Sequence, residues 1–258
     1  MQSNGERFID NQNMSRELFL QHMGRYLFAS SYVSGKVVLD AACGSGFGSE
    51  ILSQKAKKVV GVDISWEAIQ HCKAYYKKPN LSFIQMDCNS LTFHPSNFDI
   101  VISFETLEHI QNAELFLEEL KRALRKGGLL IISTPNRENF SIYTRGIKNP
   151  YHFREFTVDE FRKLIGNYFK LEHLLGQKYF AKKDIPLLAE YTTKEIPYGS
   201  DNVVRRLIRV GLRAFLPAGT RSDRLLDWEV WSNKCKVGDV IPQRAVYLVG
   251  ICRKVGTE

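Results

Sequence analysis

A chain of 258 residues, 44% hydrophobic and 25% charged, can bury one substantial core and a smaller appended one, so a single domain with an elaboration is expected. Its five cysteines, Cys43, Cys72, Cys88, Cys235 and Cys252, lack metal-ligand spacing, and an odd number cannot all pair within the chain, which argues against a disulfide framework and for reduced thiols in cytosol. A net charge of +8 suits an anionic partner such as phosphate, nucleic acid or a lipid surface, but its spread along the sequence keeps charge alone from deciding.

In chain order, the opening MQSNGERFIDNQNMSRELF is polar and charged, unlike a secretory signal, and no later apolar run reaches the length of a membrane span. A cytoplasmic location is therefore expected. From Lys36 to Asn136, β-branched runs at 37–41, 59–63, 81–87, 98–104 and 129–135 alternate with amphipathic stretches, the pattern of parallel strands joined by crossover helices. Their continuous apolar character suits a doubly wound sheet covered on both faces. Ser65 can cap a helix running to about Tyr76, and a second helix is expected from Ala113 to Arg125, stopped by Gly127 and Gly128. Thr157 and Glu160 form a capping box for the next. Two more strands are expected at 170–180 and 245–255, and the long stretch between them should carry structure of its own.

The sharpest signal is Asp40-Ala-Ala-Cys-Gly44-Ser-Gly46-Phe-Gly48 at the end of the first strand, with Asp63 ending the second. Glycines there let a ligand approach the backbone at the mouth of the sheet. A nicotinamide fingerprint would need glycine where Ser49 stands, and Asp40 would repel a pyrophosphate, so a ligand with cationic centres is favoured. S-adenosylmethionine, with an ammonium and a sulfonium, fits. Asp63 lies where a carboxylate accepts from ribose hydroxyls, and Asp87 where one accepts from an adenine amino group, with Met86 and Cys88 beside the ring.

On these residues the sequence resembles the class I S-adenosylmethionine-dependent methyltransferases, with Ala42 in place of their usual first glycine. The resemblance implies a Rossmann-like seven-stranded sheet ending in an antiparallel hairpin. The segments GERF, HMGRYLFA, VVLDAACGSGFGSEIL, SFETLEHI, IISTPN and NPYHFREFT also resemble methyltransferases encoded with bacterial surface-polysaccharide genes. That likeness implies a helix bearing Arg25 and Tyr26 folded over the cofactor's amino-acid end. The implied cofactor site comprises Arg25, Tyr26, Asp40, Ala42, Gly44, Gly46, Asp63, Ile64, Met86, Asp87, Cys88 and Ser103. The expected organisation is an N-terminal helical cover over 1–35, a core over 36–180 and 245–258, and an insertion at 181–244 acting as a substrate lid.

After the fourth strand, Glu105, Glu108 and His109 share one face if the segment turns helically. Two readings compete. His109 alone can be a general base oriented by a neighbouring carboxylate such as Glu105, or the group can bind a divalent ion with His152 as the fourth ligand. The E-x-x-E-H motif with a distal histidine resembles the metal-dependent O-methyltransferases of ubiquinone biosynthesis and of small-RNA 2′-hydroxyl ends. That resemblance implies Glu105, Glu108, His109 and His152 as ligands, a set suited to magnesium or manganese. Asn149-Pro150-Tyr151 follows the fifth strand, the wrong place for the loop of DNA-base methyltransferases.

Within the insertion, Arg205, Arg209 and Arg213 line one face of an amphipathic helix at 203–216 that can either touch an anionic membrane peripherally or pack on the domain with solvated arginines. Trp228 and Trp231 can stack on sugar rings or simply pack. The expected function is O-methylation of a small-molecule or lipid-linked glycan acceptor in polysaccharide biosynthesis, without nucleic acid. The alternatives are an RNA 2′-O-methyltransferase and a non-catalytic cofactor-binding regulator; the oligomeric state is left open.

Overall fold

Continuous apolar runs pair into β1 (Val37–Ala41), β2 (Lys58–Asp63), β3 (Leu81–Gln85), β4 (Phe98–Phe104) and β5 (Leu124–Pro135), which are parallel neighbours in the order β3-β2-β1-β4-β5. The computed structural model describes residues 16–139, 149–177, 228–232 and 245–256, with backbone only for 16–20 and 228–232. Beyond β5 the sheet turns antiparallel. The last strand in sequence, β8 (Tyr247–Arg253), inserts between β5 and β6 (Lys170–Gln177), and β7 (Trp228–Ser232) pairs with the outer edge of β6.

All seven expected strands are present, and β6 and β8 form the expected antiparallel pair. The eighth comes from the insertion, where a lid was expected; the amphipathic stretch at 203–216 and its arginines lie outside the described residues. Among the described residues no helix is long and apolar enough to cross a membrane.

Alternate residues of each strand point to opposite faces. Val38, Ile100 and Ile102 meet Ile51 of α2 (Phe47–Ser53), Ile69 of α3 (Trp66–Tyr75) and Tyr26 of α1 (Arg16–Ala29). Leu39, Val101 and Leu130 meet Phe116 and Leu120 of α4 (Ala113–Ala123) and Phe161 of α5 (Val158–Gly166). Ser65 caps α3, its hydroxyl accepting from the Ala68 N–H, and the Thr157–Glu160 capping box opens α5.

Helix α4 ends two residues earlier than expected. Leu124 is fully buried and extended, pairing with Phe98, so burial draws it into the strand before the glycines are reached. Gly127 (φ 73) and Gly128 instead serve an irregularity inside β5, where a Cβ on Gly128 would press to 2.9 Å on the carbonyls of Asp99 and Arg125. The chain reverses its direction of travel between β1 and β4, so their carboxyl ends open a crevice of the kind in which α/β sheets bind ligands.

Candidate active site

The glycine turn leaves β1 through positive-φ residues, Ala42 (61°), Gly44 (54°) and Gly46 (81°). For Ala42 this geometry costs about 1–2 kcal/mol, which accounts for the glycine usual at that position. A Cβ on Gly44 would meet nothing within 4 Å, leaving the backbone open to a ligand, whereas one on Gly46 would strike the Cys72 sulfur at 2.6 Å. Asp63 ties this turn to α3. Its Oδ2 accepts from the Gly44 N–H at 2.9 Å and its Oδ1 from the Ser65 N–H at 2.9 Å, leaving a second lone pair on each oxygen for ribose hydroxyls.

Met86 is half-buried with its N–H on the Asp63 carbonyl, Asp87 is exposed, and Cys88 is buried with its thiol pushed up to about 12 by that burial. Ile64, at 55% exposure, offers an apolar face at the same rim. Ser103, on β4, is fully buried with an Oγ that has no hydrogen-bond partner among the described residues.

Asp40 has a different task from the one expected of it. It is fully buried, with Oδ1 accepting from the Tyr26 hydroxyl (3.0 Å) and Oδ2 from Ser49 (2.6 Å), so it docks α1 and α2 on β1 and does not present a bare charge to a ligand. Burial pushes its carboxyl up from 3.8 to about 7, against the two hydroxyl bonds. Because the unfolded chain ionises near 4 while the folded one holds its proton, the stability lent by the neutral carboxyl is complete below pH 4 and is lost as pH rises through 7, by about 4 kcal/mol. Asp40→Asn carries no such titration. Its stability relative to the parent, measured by urea unfolding, should rise between pH 4 and pH 7 and level off above; parallel pH profiles would refute this.

Tyr26 sits over the turn. Its ring packs edge-on against Phe47 and Phe104, with centroids 5.5 and 5.0 Å away. Arg25 beside it is fully buried, donates from Nη1 to Gln177 Oε1 at 2.6 Å and lies over the Tyr247 ring at 4.6 Å. Among the described residues its Nε and Nη2 have no hydrogen-bond partner. Those two N–H groups form the side-on edge of the guanidinium, whose fork matches a carboxylate. A buried cation in this state fits the amino-acid end of S-adenosylmethionine.

At the mouth of β4 a single 3-10 turn spans Leu107–His109. Glu108, 1% exposed, accepts from Thr134 Oγ1 at 3.0 Å, and its backbone carbonyl accepts from the N–H groups of Phe153 (2.8 Å) and Arg154 (3.3 Å). That ties the segment after β5 to the turn. His109 Nδ1 meets the Tyr151 carbonyl at 3.1 Å; a carbonyl only accepts, so the proton is on Nδ1 and the lone pair on Nε2. His152 Nδ1 faces Glu155 Oε1 at 2.8 Å, and Asn149 Nδ2 faces its Nε2 at 3.0 Å.

One ligand atom from each of Glu108, His109 and His152 falls within 4.8 Å of the others. Burial pushes the Glu108 carboxyl well above its ordinary range, with the Glu105 charge adding to it, and burial holds the His109 imidazole below its own. A carboxyl that is costly to ionise beside two imidazoles can be settled by a proton or by a cation.

Glu105 stands outside this group. The 3-10 turn begins only at Leu107, so Glu105, at φ 52, lacks the helical geometry that would align it with Glu108 and His109. Its Oε1 accepts from Ser133 Oγ at 2.6 Å and lies 3.9 Å from Arg25 Nη2. Ser133, Thr134, Gln177, Asn149 and Glu155, which hold these groups in place, were not anticipated from sequence. The one available signal was a Ser-Thr pair closing an apolar strand.

Residues 39–132 match the family described as Methyltransferase domain. A protein of Mycobacterium tuberculosis described as "Probable S-adenosylmethionine-dependent methyltransferase" is 32% identical over 161 residues, 62% of this chain and 58% of that protein, so the chain spans less than two thirds of that relative's length. A ubiquinone biosynthesis O-methyltransferase of Coxiella burnetii is 34% identical over 121 residues, covering 46% of this chain and 51% of that protein. Among solved structures, an S-adenosylmethionine-dependent methyltransferase of Thermotoga maritima superposes with a TM-score of 0.60 at 16% identity, over 92% of each chain, a likeness that shows the fold.

Proposed function

Because residues 39–132 of this chain are a class I S-adenosylmethionine-dependent methyltransferase domain, we propose that it methylates a hydroxyl oxygen of a sugar or surface-glycan intermediate. The observation that carries the reading is the convergence of Glu108, His109 and His152 at the mouth of β4, on the same rim as the glycine turn. A hydroxyl acceptor must lose a proton, and this group is equipped to take it. Support for oxygen as the acceptor also comes from the relation to the Coxiella enzyme. Support for a ring-shaped acceptor comes from Tyr151 (40% exposed) and Phe153 (67% exposed) flanking His152, since exposed aromatic faces stack on sugar rings.

S-adenosylmethionine, when bound, supplies an electrophilic methyl group on a sulfonium. The chain's own residues do the rest. Asp63 accepts from the ribose hydroxyls, Arg25 fixes the amino-acid end, and the Gly44 backbone leaves room for close approach. Transfer is an in-line displacement, so holding the acceptor near and aligned is the chief requirement. His109 Nε2, in the tautomer set by the Tyr151 carbonyl, receives the acceptor proton. A magnesium or manganese ion, held by Glu108, His109 and His152, would instead lower the acceptor's pKa.

The metal-free base has an observation of its own in its favour: Asn149 already donates to His152 Nε2, and Glu105 is committed elsewhere. Incubation with methyl-labelled cofactor, sugar and lipid-linked glycan acceptors and a chelator separates these readings. Turnover that stops on chelation with cofactor binding intact, and returns with manganese, would establish the ion. Full turnover in chelator would leave His109 as the base, and label in none of the glycan acceptors would sink the acceptor class.

A further inference from the structure

Glu105 and Arg25 form an ion pair that has not closed. Arg25 Nη2 and Glu105 Oε1 are 3.9 Å apart, beyond hydrogen-bond reach, in a place where the arginine is fully buried and the Glu105 side chain is 11% exposed. Each has capacity left over. Arg25 keeps Nε and Nη2 without hydrogen bonds, and Glu105 accepts only on Oε1, from Ser133, among the described residues. Buried polar groups are ordinarily satisfied, so a cation and an anion left short of each other in one crevice point to something that fits between them.

Resting on the cofactor reading above, we infer that Glu105 holds the α-ammonium group of the cofactor while Arg25 holds its carboxylate, which assigns Glu105 to cofactor binding and not to the Glu108–His109–His152 group. An α-amino acid carries one charge of each sign on a single carbon, the complement of this open pair. Three features aim Glu105 at the task. Its positive φ, 52°, turns the side chain out of the path of the following 3-10 turn. The Ser133 hydroxyl fixes Oε1 at 2.6 Å, and the Glu105 N–H points at the Ser133 carbonyl, 3.2 Å away. One helical turn before Arg25, Gln21 is fully buried with its polar side-chain atoms, Oε1 and Nε2, lacking partners among the described residues, so the same helix face offers a further acceptor and donor.

The test compares two ligands by calorimetry: S-adenosylhomocysteine, and 5′-methylthioadenosine, which lacks the amino-acid end. Glu105→Gln, close in size to the parent side chain, is expected to weaken S-adenosylhomocysteine 10- to 100-fold while methylthioadenosine changes less than twofold, with manganese binding unaltered. Ser133→Ala, which leaves the charge but loosens its aim, is expected to give the same pattern more weakly. Removing the amino group from S-adenosylhomocysteine should weaken binding to the parent strongly and binding to Glu105→Gln little. Equal losses for both ligands, no loss for S-adenosylhomocysteine, or lost manganese binding would each overturn the assignment. If the parent protein binds neither nucleoside, it is the cofactor reading that has failed, and a normal parent with an indifferent variant isolates the failure to Glu105.

Discussion

His109→Ala is expected to lower kcat by about 10²–10⁴-fold, the range supplied by a positioned general base, while S-adenosylhomocysteine binds as it does to the parent. The two halves of that result follow from where the residue sits. His109 lies in the 3-10 turn after β4, oriented through Nδ1 by the Tyr151 carbonyl, with its ring 4.8 Å from that of His152. The groups expected to grip the cofactor, Asp63, Arg25 and the glycine turn, stand on other elements and do not use it. The loss holds under either chemistry, since alanine can neither accept a proton nor ligate an ion. The readings then part at His152, where alanine is as damaging as at His109 if an ion is held and far milder if it is not. Single-turnover kinetics with saturating cofactor would measure the drop, and a His109→Ala protein with parental kcat would remove this histidine from the reaction altogether.

Gly48→Ala is expected to be the most disruptive single methyl addition at the site. A Cβ there would lie 2.0 Å from Tyr26 Cζ and 2.3 Å from both Cε atoms, at the hydroxyl-bearing end of the ring. Tyr26 cannot simply yield, because its ring is wedged between Phe47 and Phe104 and its hydroxyl is bound to buried Asp40. Overpacking of this kind costs about 1–3 kcal/mol, and loss of the Tyr26–Asp40 bond about 0.5–1.5 more. Two measurements report the outcome: a fall in melting temperature of about 5–15 °C for a chain of this size, and weakened cofactor binding as α1 lifts away. In the Tyr26→Ala background the same substitution should add almost nothing, because the atoms it collides with are gone. A full additional loss there would mean the strain comes from α2 itself.

The sheet was legible because parallel strands buried on both faces leave long apolar runs, and Val37–Ala41, Lys58–Asp63 and Phe98–Phe104 lie within a residue of their expected bounds. The glycine turn was legible because its positive-φ backbone favours glycine, and Asp63 because it ends a strand beside that turn, to which the structure ties it. What sequence could not give was which neighbour takes each charge. Spacing alone put Glu105 with Glu108 and His109 on one face, an inference that assumes helix from the first residue; the chain begins its turn at Leu107, and two positions of irregular backbone send Glu105 toward Arg25. Asp40 misled for a related reason. Its position beside the glycines suggested a ligand contact, and only burial under Tyr26 and Ser49 reveals that its charge is suppressed and its oxygens occupied. The end of α4 was misplaced because a buried Leu124 overrides the nearby glycine stop.

The position of β8 between β5 and β6 sets an order of events during synthesis. Residues 37–135 can pair among themselves as they leave the ribosome, since β1 to β5 need no partner from later in the chain. Until residue 253 emerges, however, β5 keeps one bare edge along Leu129–Pro135, an apolar stretch with its N–H and C=O groups unmet, and β6 has nothing on its inner side to pair with. An exposed flat edge of this kind recruits strands from other chains. The nascent protein is thus most vulnerable to aggregation between the emergence of β5 and that of β8, and the Gln177–Arg25 link, which fastens α1 to the end of β6, forms only after β6 has emerged. The glycine turn can be complete while the helix above it is still waiting for β6 and β8 to join the sheet.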